Sequence, residues 1–324
     1  MATTSNKYSE LEKILPQPLK NALRNSKADY SMLQEIRMRV NNPLMLLMHH
    51  KEYILTRQEM LVESAKQPYI TEAEMIRQCM ERMSNYSLYA YEEDMKQRFI
   101  TIQGGHRVGI AGRVTAECQQ ITKMNCISFL NIRVAHEVIG CSKKIVPFLI
   151  DGSSIHNTLI ISPPGCGKTT LLRDLIRIIS TGDEHFRGVN VGVVDERSEI
   201  AACYQGIPQN CLGSRTDVLD ACPKVYGMNM LIRSMSPKVI AVDEIGTIED
   251  AKCLQHIMTC GCRILATAHG DNLDDIQKRP VFKEMIRQGM FTRFIVLKNT
   301  QKPGMIAGIY NADNQKIEGN EEAQ

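Results

Sequence analysis

The sequence predicts a two-domain α/β chain: an α+β region over residues 1–140, then over 141–312 a parallel sheet covered by helices on both faces. Three observations carry that division. Before residue 140, apolar and polar residues alternate in short runs, as strands do when one face of a sheet meets water. From Asn157 onward the strand-type runs turn apolar, at 158–161, 189–194 (broken by Asn190 and Gly192), 239–242, 264–266 and 294–297, with helical stretches between them. Runs apolar at successive positions are covered on both faces, as parallel strands are. Lastly, a glycine-containing loop at 162–170 joins a strand pattern to a helix pattern.

The composition sets limits. The chain has 324 residues, 43% hydrophobic and 23% charged, which is enough for two cores. A net charge of +3 argues against a protein whose main task is coating nucleic acid. No leader segment and no apolar run of about 18 residues is read, so a soluble cytoplasmic chain without direct membrane insertion is expected. The 11 cysteines are scattered and odd in number. Cys260 and Cys262 are too close for zinc spacing, and Cys203, Cys211 and Cys222 lack a regular CxxC pair, so reduced thiols are expected. With no Trp, the 18 methionines read as core filling.

In chain order, Leu11, Ile14, Leu15, Leu19, Ala22 and Leu23 have helical spacing interrupted by Pro16 and Pro18, which predicts two short helices. Ile36, Met38 and Val40 alternate with Arg37 and Arg39, a half-buried strand. Strands at 44–48 and 53–55 flank a turn carrying His49 and His50, which have no partner ligands at metal spacing. Thr71 with Glu74 reads as a capping box, and Ile76, Met80 and Met83 give the buried stripe of the helix behind it. A second helix is expected over 87–96. Phe99, Thr101 and Gln103 lead through Gly104-Gly105 to Val108, Ile110 and Val114, a hairpin bearing His106, Arg107 and Arg113. A strand at 127–134 carries Arg133. In the second domain, helices are expected over 228–235, 249–259 and 281–288. Residues 313–324 are polar with an acidic end and are expected to be disordered.

The loop holds Ser162, Pro163, Pro164, Gly165, Cys166, Gly167, Lys168, Thr169 and Thr170. Strand, loop and helix are the context a phosphate loop requires. Gly165 and Gly167 let successive backbone N–H groups face one point, where the helix start adds positive potential. Lys168 can reach outer phosphates, and the Thr169 hydroxyl can ligate Mg2+. Ser162 stands where the pattern usually has Gly.

The carboxyl ends of parallel strands converge on the ligand crevice. The run at 239–242 ends in Asp243 and Glu244, suited to hold Mg2+ and to take a proton from water. Their alternative reading is an N-cap pair for the helix near Thr247. Asp195 and Glu196 end another strand; either could support Mg2+ or the water, or form an ion pair with Arg197. Thr267, Ala268, His269 and Gly270 end a third, with His269 suited to sense a γ-phosphate.

These elements resemble the ATPases of type II and type IV secretion and the pilus-retraction motors, and the stretch Leu231-Ile-Arg233-Ser-Met-Ser-Pro237 is similar to their arginine-containing helix. Those ATPases commonly carry Gly where this chain has Asp243. A narrower resemblance spans most of the chain: Glu35-Ile-Arg-Met-Arg39, Gly104-Gly-His-Arg-Val-Gly-Ile-Ala-Gly112, Asn131-Ile-Arg-Val134, Val194-Asp-Glu-Arg-Ser-Glu199, Arg215-Thr-Asp-Val-Leu-Asp220 and 235–246 are similar to the stage III sporulation protein AA family of endospore-forming bacteria. The resemblance implies a RecA-like P-loop ATPase domain using ATP and Mg2+. It also implies a homo-oligomeric ring, a hexamer, in the mother-cell cytoplasm, docked on an integral membrane channel shared with the forespore. A ring gives arginines a task, since one from a neighbour can neutralise charge building on the γ-phosphate. Arg98, Arg107, Arg113 and Arg133 are the first-domain candidates, and Arg215 and Arg233 those of the second.

Two other readings fit the same motifs. A nucleic-acid-stimulated motor of RecA type would need a basic, aromatic-bearing channel, and aromatic content is only 5%. A nucleotide-gated scaffold would have no use for a placed base such as Glu244.

Overall fold

A computed structural model describes residues 4–84, 99–117, 120–152, 154–298, 300 and 304–317. The chain divides into two compact units. One takes Met1–Glu137 together with Ala202–Gln209, and the other Val138–Ala201 together with Asn210–Gln324. Ala202–Gln209 thus groups with the first unit, whereas the sequence reading kept 141–312 whole.

The first unit opens with helices α1 (Thr4–Ile14) and α2 (Gln17–Asn25), with Pro16 at the N-cap of α2. Strands β1 (Leu33–Arg39), β2 (Met45–Met48), β3 (Lys51–Leu55) and β4 (Leu61–Val62) follow, then α3 (Ala73–Met83) and strands β5 (Phe99–Thr101), β6 (Arg107–Glu117) and β7 (Gln120–Arg133). The sheet order is β4-β3-β2-β1-β7-β6-β5, antiparallel throughout. Period-two alternation sets its faces. Ile36 and Met38 of β1 are fully buried opposite Ile132 and Leu130 of β7. They pack with Leu11, Leu15, Leu19, Leu23, Ile76 and Met80 of the helices. Each such side chain contributes roughly 1.5–3 kcal/mol of burial.

The capping box expected at Thr71 does not form. Glu72 is the N-cap of α3 and has no side-chain cap, while the Thr71 backbone exchanges hydrogen bonds with Asn41 and Asn42. The pairing of that extended segment outcompetes an earlier helix start. The helix expected over 87–96 lies outside the described residues. His49 and His50 sit exposed in the β2–β3 turn. His106 is fully buried: its Nδ1 accepts the Ala135 N–H at 3.0 Å, so Nε2 carries the proton and donates to the Lys7 carbonyl at 2.7 Å. Burial pushes its pKa down to about 4.

The second unit begins with α4 (Val146–Leu149), the hairpin β8 (Ile150–Asp151) and β9 (Ser154–Ile155), then β10 (Thr158–Ser162) and α5 (Lys168–Thr181). After β11 (Val191–Asp195) and β12 (Thr216–Asp220) come α6 (Lys224–Met235), β13 (Val239–Val242), α7 (Ile248–Thr259) and β14 (Arg263–His269). Helices α8 (Leu273–Lys278) and α9 (Pro280–Arg287) lead to β15 (Arg293–Leu297), β16 (Ile306–Asn311) and β17 (Lys316–Ile317). The sheet order is β12-β11-β13-β14-β10-β15-β16-β17. It is parallel from β12 to β15, with β16 and β17 added antiparallel. Every residue of β10, β11 and β13 is buried, as a sheet covered on both faces requires. This is the parallel sheet covered by helices that the alternating pattern predicted, in the RecA-like P-loop arrangement that the resemblance implied.

Two differences stand out. Strand β12 was not predicted: it is an edge strand of partly exposed residues, without the apolar signature of its neighbours. Nor is the chain irregular from 313: Lys316 and Ile317 pair with Tyr310 and Ile309.

Candidate nucleotide-binding site

The chain leaves β10 through the loop and α5, then crosses to β11, so β14 and β13 lie between those two strands. That crossover opens a crevice at the strand carboxyl ends. Gly165 and Gly167 have φ of +76° and +93°, left-handed conformations that favour glycine, and Gly167 is the N-cap of α5. The Ser162 hydroxyl donates to the Pro163 carbonyl at 2.8 Å, so the residue that departs from the usual pattern meets its own hydrogen-bonding need locally. The Cys166 thiol is buried and donates to the Pro164 carbonyl.

Lys168 is 5% exposed, and its ammonium donates to the carbonyls of Ser162 and Pro163 at 3.2 and 3.3 Å. Burial lowers its pKa, while the charges of Asp243 and Glu244 act in the opposite sense. The β10–β14 register sets His269 opposite Ser162. That brings His269 Nδ1 to 3.1 Å from Lys168 Nζ and His269 Nε2 to 2.7 Å from Glu244 Oε1.

Asp243 and Glu244 follow β13 directly. The Thr169 hydroxyl donates to Asp243 Oδ2 at 2.6 Å, and the Thr267 hydroxyl donates to Oδ1. Thr267 Oγ1 also accepts the Glu244 N–H at 2.9 Å. Glu244 has φ of +53°, unusual for a residue with a side chain and of the kind that gathers at functional sites. Lys224 Nζ holds its carbonyl at 2.7 Å. Arg197 Nη1 stands 3.0 Å from Glu244 Oε2. Burial alone would raise the Glu244 pKa, but the His269 hydrogen bond and the charges of Arg197 and Lys168 hold it below the usual carboxylate range.

The acids after β11 behave differently. Asp195 is 2% exposed, and its carboxylate accepts the backbone N–H groups of Glu199, Ile200 and Ala201 at 2.7–2.9 Å. Burial raises its pKa against those bonds. The Arg173 guanidinium donates to the carbonyls of Glu199 and Ile200, both at 2.8 Å. Asp195 therefore anchors the 199–201 turn, and it lines one crevice with Glu196, Asp243 and Glu244. Glu196 lies 3.4 Å from Lys224 Nζ. Arg197, weighed as an ion-pair partner for these acids, pairs with Glu244. Nor do Asp243 and Glu244 cap the next helix. Thr247 does so, in a capping box with Asp250.

The donor set suits a magnesium nucleotide. Thr169 and Asp243 offer hard oxygens on adjacent elements, as Mg2+ prefers, and the loop offers N–H groups and an ammonium to phosphate.

A model described as "Sporulation stage III, protein AA" matches residues 5–317. Stage III sporulation protein AA of Bacillus subtilis (strain 168) is 42% identical over 310 residues, covering 95% of this chain and 97% of that protein. The chain belongs to the stage III sporulation protein AA family. Its fold also matches the Legionella pneumophila ATPase DotB at a TM-score of 0.56 and 12% identity, over 88% of this chain and 76% of that one. The pilus retraction motor PilT with bound ADP gives 0.56 at 14% identity, over 86% and 76%.

Within this family member the candidate arginines scatter. Arg215 Nη1 donates to the Ser180 and Thr181 carbonyls at 3.0 and 3.2 Å, where it closes the C-terminal end of α5 and meets its negative potential. Arg233 is exposed on the last turn of α6, nine residues, roughly 13 Å of helix axis, beyond Lys224. In the first unit, Arg107 lies over the Phe99 ring, 4.9 Å from its centroid. Arg113 is exposed on β6, and Arg133 stands 3.6 Å from Glu35. Arg98 lies outside the described residues. Thr170 stands beside the site, in the first turn of α5. Sequence reading gave no site role to Lys224 or Thr267; the first opens a helix after an unpredicted strand, and the second is an uncharged strand residue.

Proposed function

We propose that this chain hydrolyses ATP to ADP and phosphate and works as a ring motor of the secretion-ATPase kind. The observation that carries the reading is the single hydrogen-bonded constellation of Lys168, His269, Glu244, Thr169, Asp243 and Thr267, drawn from α5, β14 and the end of β13. Backbone N–H groups of the loop bind the phosphates, and Lys168 exchanges the Ser162 and Pro163 carbonyls for phosphate oxygens. Thr169 and Asp243 hold Mg2+, which when bound neutralises phosphate charge. Glu244 orients the attacking water and takes its proton, and His269 holds the Glu244 carboxylate in place. A carboxylate at this position separates a hydrolase from a nucleotide-gated scaffold.

Ring assembly supplies the remaining cation in this proposal. Arg98, Arg107, Arg113, Arg133, Arg215 and Arg233 are the candidates to reach a neighbour's γ-phosphate. In this proposal the ring is a hexamer that works in the mother-cell cytoplasm against an integral membrane channel, a reading that membership of a sporulation family supports. Among the described residues no helix is long and apolar enough to cross a membrane, so docking through partners fits the chain.

The test is ATP turnover per protomer over a range of protein concentrations, with Glu244→Gln as control. Specific activity that climbs steeply with concentration, and an inactive control, are the expected results. Flat, substantial activity would remove the trans-arginine part, and a control as active as the native protein would remove Glu244 from the chemistry.

A further inference from the structure

We propose that Arg197 is a further catalytic residue of this site, whose guanidinium leaves Glu244 for the γ-phosphate when ATP binds. The inference rests on the hydrolytic reading above. In the structure both oxygens of the Glu244 carboxylate are engaged, Oε1 by His269 at 2.7 Å and Oε2 by Arg197 at 3.0 Å. With one oxygen on an imidazole and the other on a guanidinium, that carboxylate has a partner on each side where a water would have to sit.

Three features make Arg197 the group that moves. Its side chain is 67% exposed, so the ion pair it makes is weak in water and opens readily to a stronger anion. A terminal phosphate is such an anion, and it matches the planar guanidinium fork better than a single carboxylate oxygen does. Arg197 also stands two residues beyond β11, the strand beside β13, whereas Lys168 follows β10 on the other side of β14. The two cations therefore flank Glu244 and His269 from opposite sides of the crevice. Lys224 is the more buried cation, its side chain 16% exposed, with its ammonium on the Glu244 carbonyl and on Glu196.

The exchange completes the chemistry. The water oxygen bonds to the γ-phosphorus, and the bond from that phosphorus to the β–γ bridging oxygen breaks. The bridging oxygen leaves on ADP with the electron pair, and the water proton passes to the Glu244 carboxylate. Arg197 offsets charge on the γ-phosphate oxygens during the transfer, and its departure leaves Oε2 open to the water. One side chain thus restrains the base while no ATP is bound and supports the reaction once it is.

The experiment compares ATPγS and ADP binding by calorimetry, with ATP turnover alongside, for the native chain, Arg197→Ala, Arg197→Lys, Glu244→Gln and the Arg197→Ala/Glu244→Gln double variant. Arg197→Ala should weaken ATPγS about tenfold or more, the worth of a charged hydrogen bond, leave ADP unaltered and lower turnover. Arg197→Lys keeps the charge without the fork and should fall between, which preserves the comparison if the alanine variant folds poorly. Glu244→Gln cannot hold Arg197 by charge and should bind ATPγS more tightly, a gain that vanishes in the double variant. If Arg197→Ala weakens both nucleotides equally, leaves ATPγS unaffected or speeds turnover, Arg197 is only a tether on Glu244 and the proposal falls. If the native chain binds neither nucleotide, the hydrolytic reading fails and takes the proposal with it.

Discussion

His269 Nε2 lies 2.7 Å from Glu244 Oε1, while the other nitrogen of the same ring faces the Lys168 ammonium at 3.1 Å. An ammonium only donates, so Nδ1 accepts and Nε2 carries the proton toward Glu244. One imidazole therefore links Lys168 of the glycine-containing loop to the candidate base.

Replacing His269 with Ala is expected to lower turnover about 100-fold, in the range for a lost positioned donor. His269 also holds the Glu244 pKa down. Its removal should shift the acid limb of the turnover profile to higher pH, because the base then gains its proton at a higher pH. A pH series on both proteins checks this. An unshifted limb would mean that His269 is packing alone.

Thr169→Ala is expected to lose most of the Mg2+-dependent gain in nucleotide affinity while retaining metal-free binding, because the loop N–H groups and Lys168 remain. Titrations with and without Mg2+ separate the two contributions. Equal loss under both conditions would place the Thr169 hydroxyl in loop structure.

Asp195→Asn is expected to destabilise the second unit by roughly 1–3 kcal/mol, since an amide offers one acceptor oxygen where three backbone N–H groups now converge. Its Mg2+ requirement should match that of the native chain. Chemical denaturation gives the first quantity and a metal titration the second. An altered metal requirement without lost stability would place Asp195 at the metal site.

His106 links the stability of the first unit to pH. Its folded pKa lies near 4 against an ordinary 6.5. Between those values the unfolded chain binds a proton that the folded one refuses, so stability falls as pH drops through 6.5 and levels off below 4. The full loss is about 3 kcal/mol. Denaturation of native and His106→Gln proteins at pH 7 and pH 5 should show a smaller pH effect in the variant.

Much of the site was legible because it is local in sequence. Gly165 and Gly167 announce left-handed backbone, and Lys168 and Thr169 follow at fixed spacing. Asp243 and Glu244 end a strand that is apolar at every position. The Thr71 capping box failed because its signal was equally local, and the backbone of Thr71 pairs with residues thirty positions away. Arg215 and Arg233 carry the same charge in sequence, yet one is held by helix carbonyls and the other is exposed far along α6.

By itself the sequence determined the parallel α/β architecture of the second unit, its phosphate loop and the strand ends that bear acids, because hydrophobic period and glycine conformation act over a few residues. Only the tertiary structure decided what each acid does. Asp195 and Glu244 both stand at the carboxyl end of a parallel strand. The turn after Asp195 folds its N–H groups back onto the carboxylate, whereas β14, inserted between β10 and β13, brings His269 to Glu244. Those partners lie from four to 25 residues away along the chain, and no local pattern states which polar group a fold will deliver to a given carboxylate.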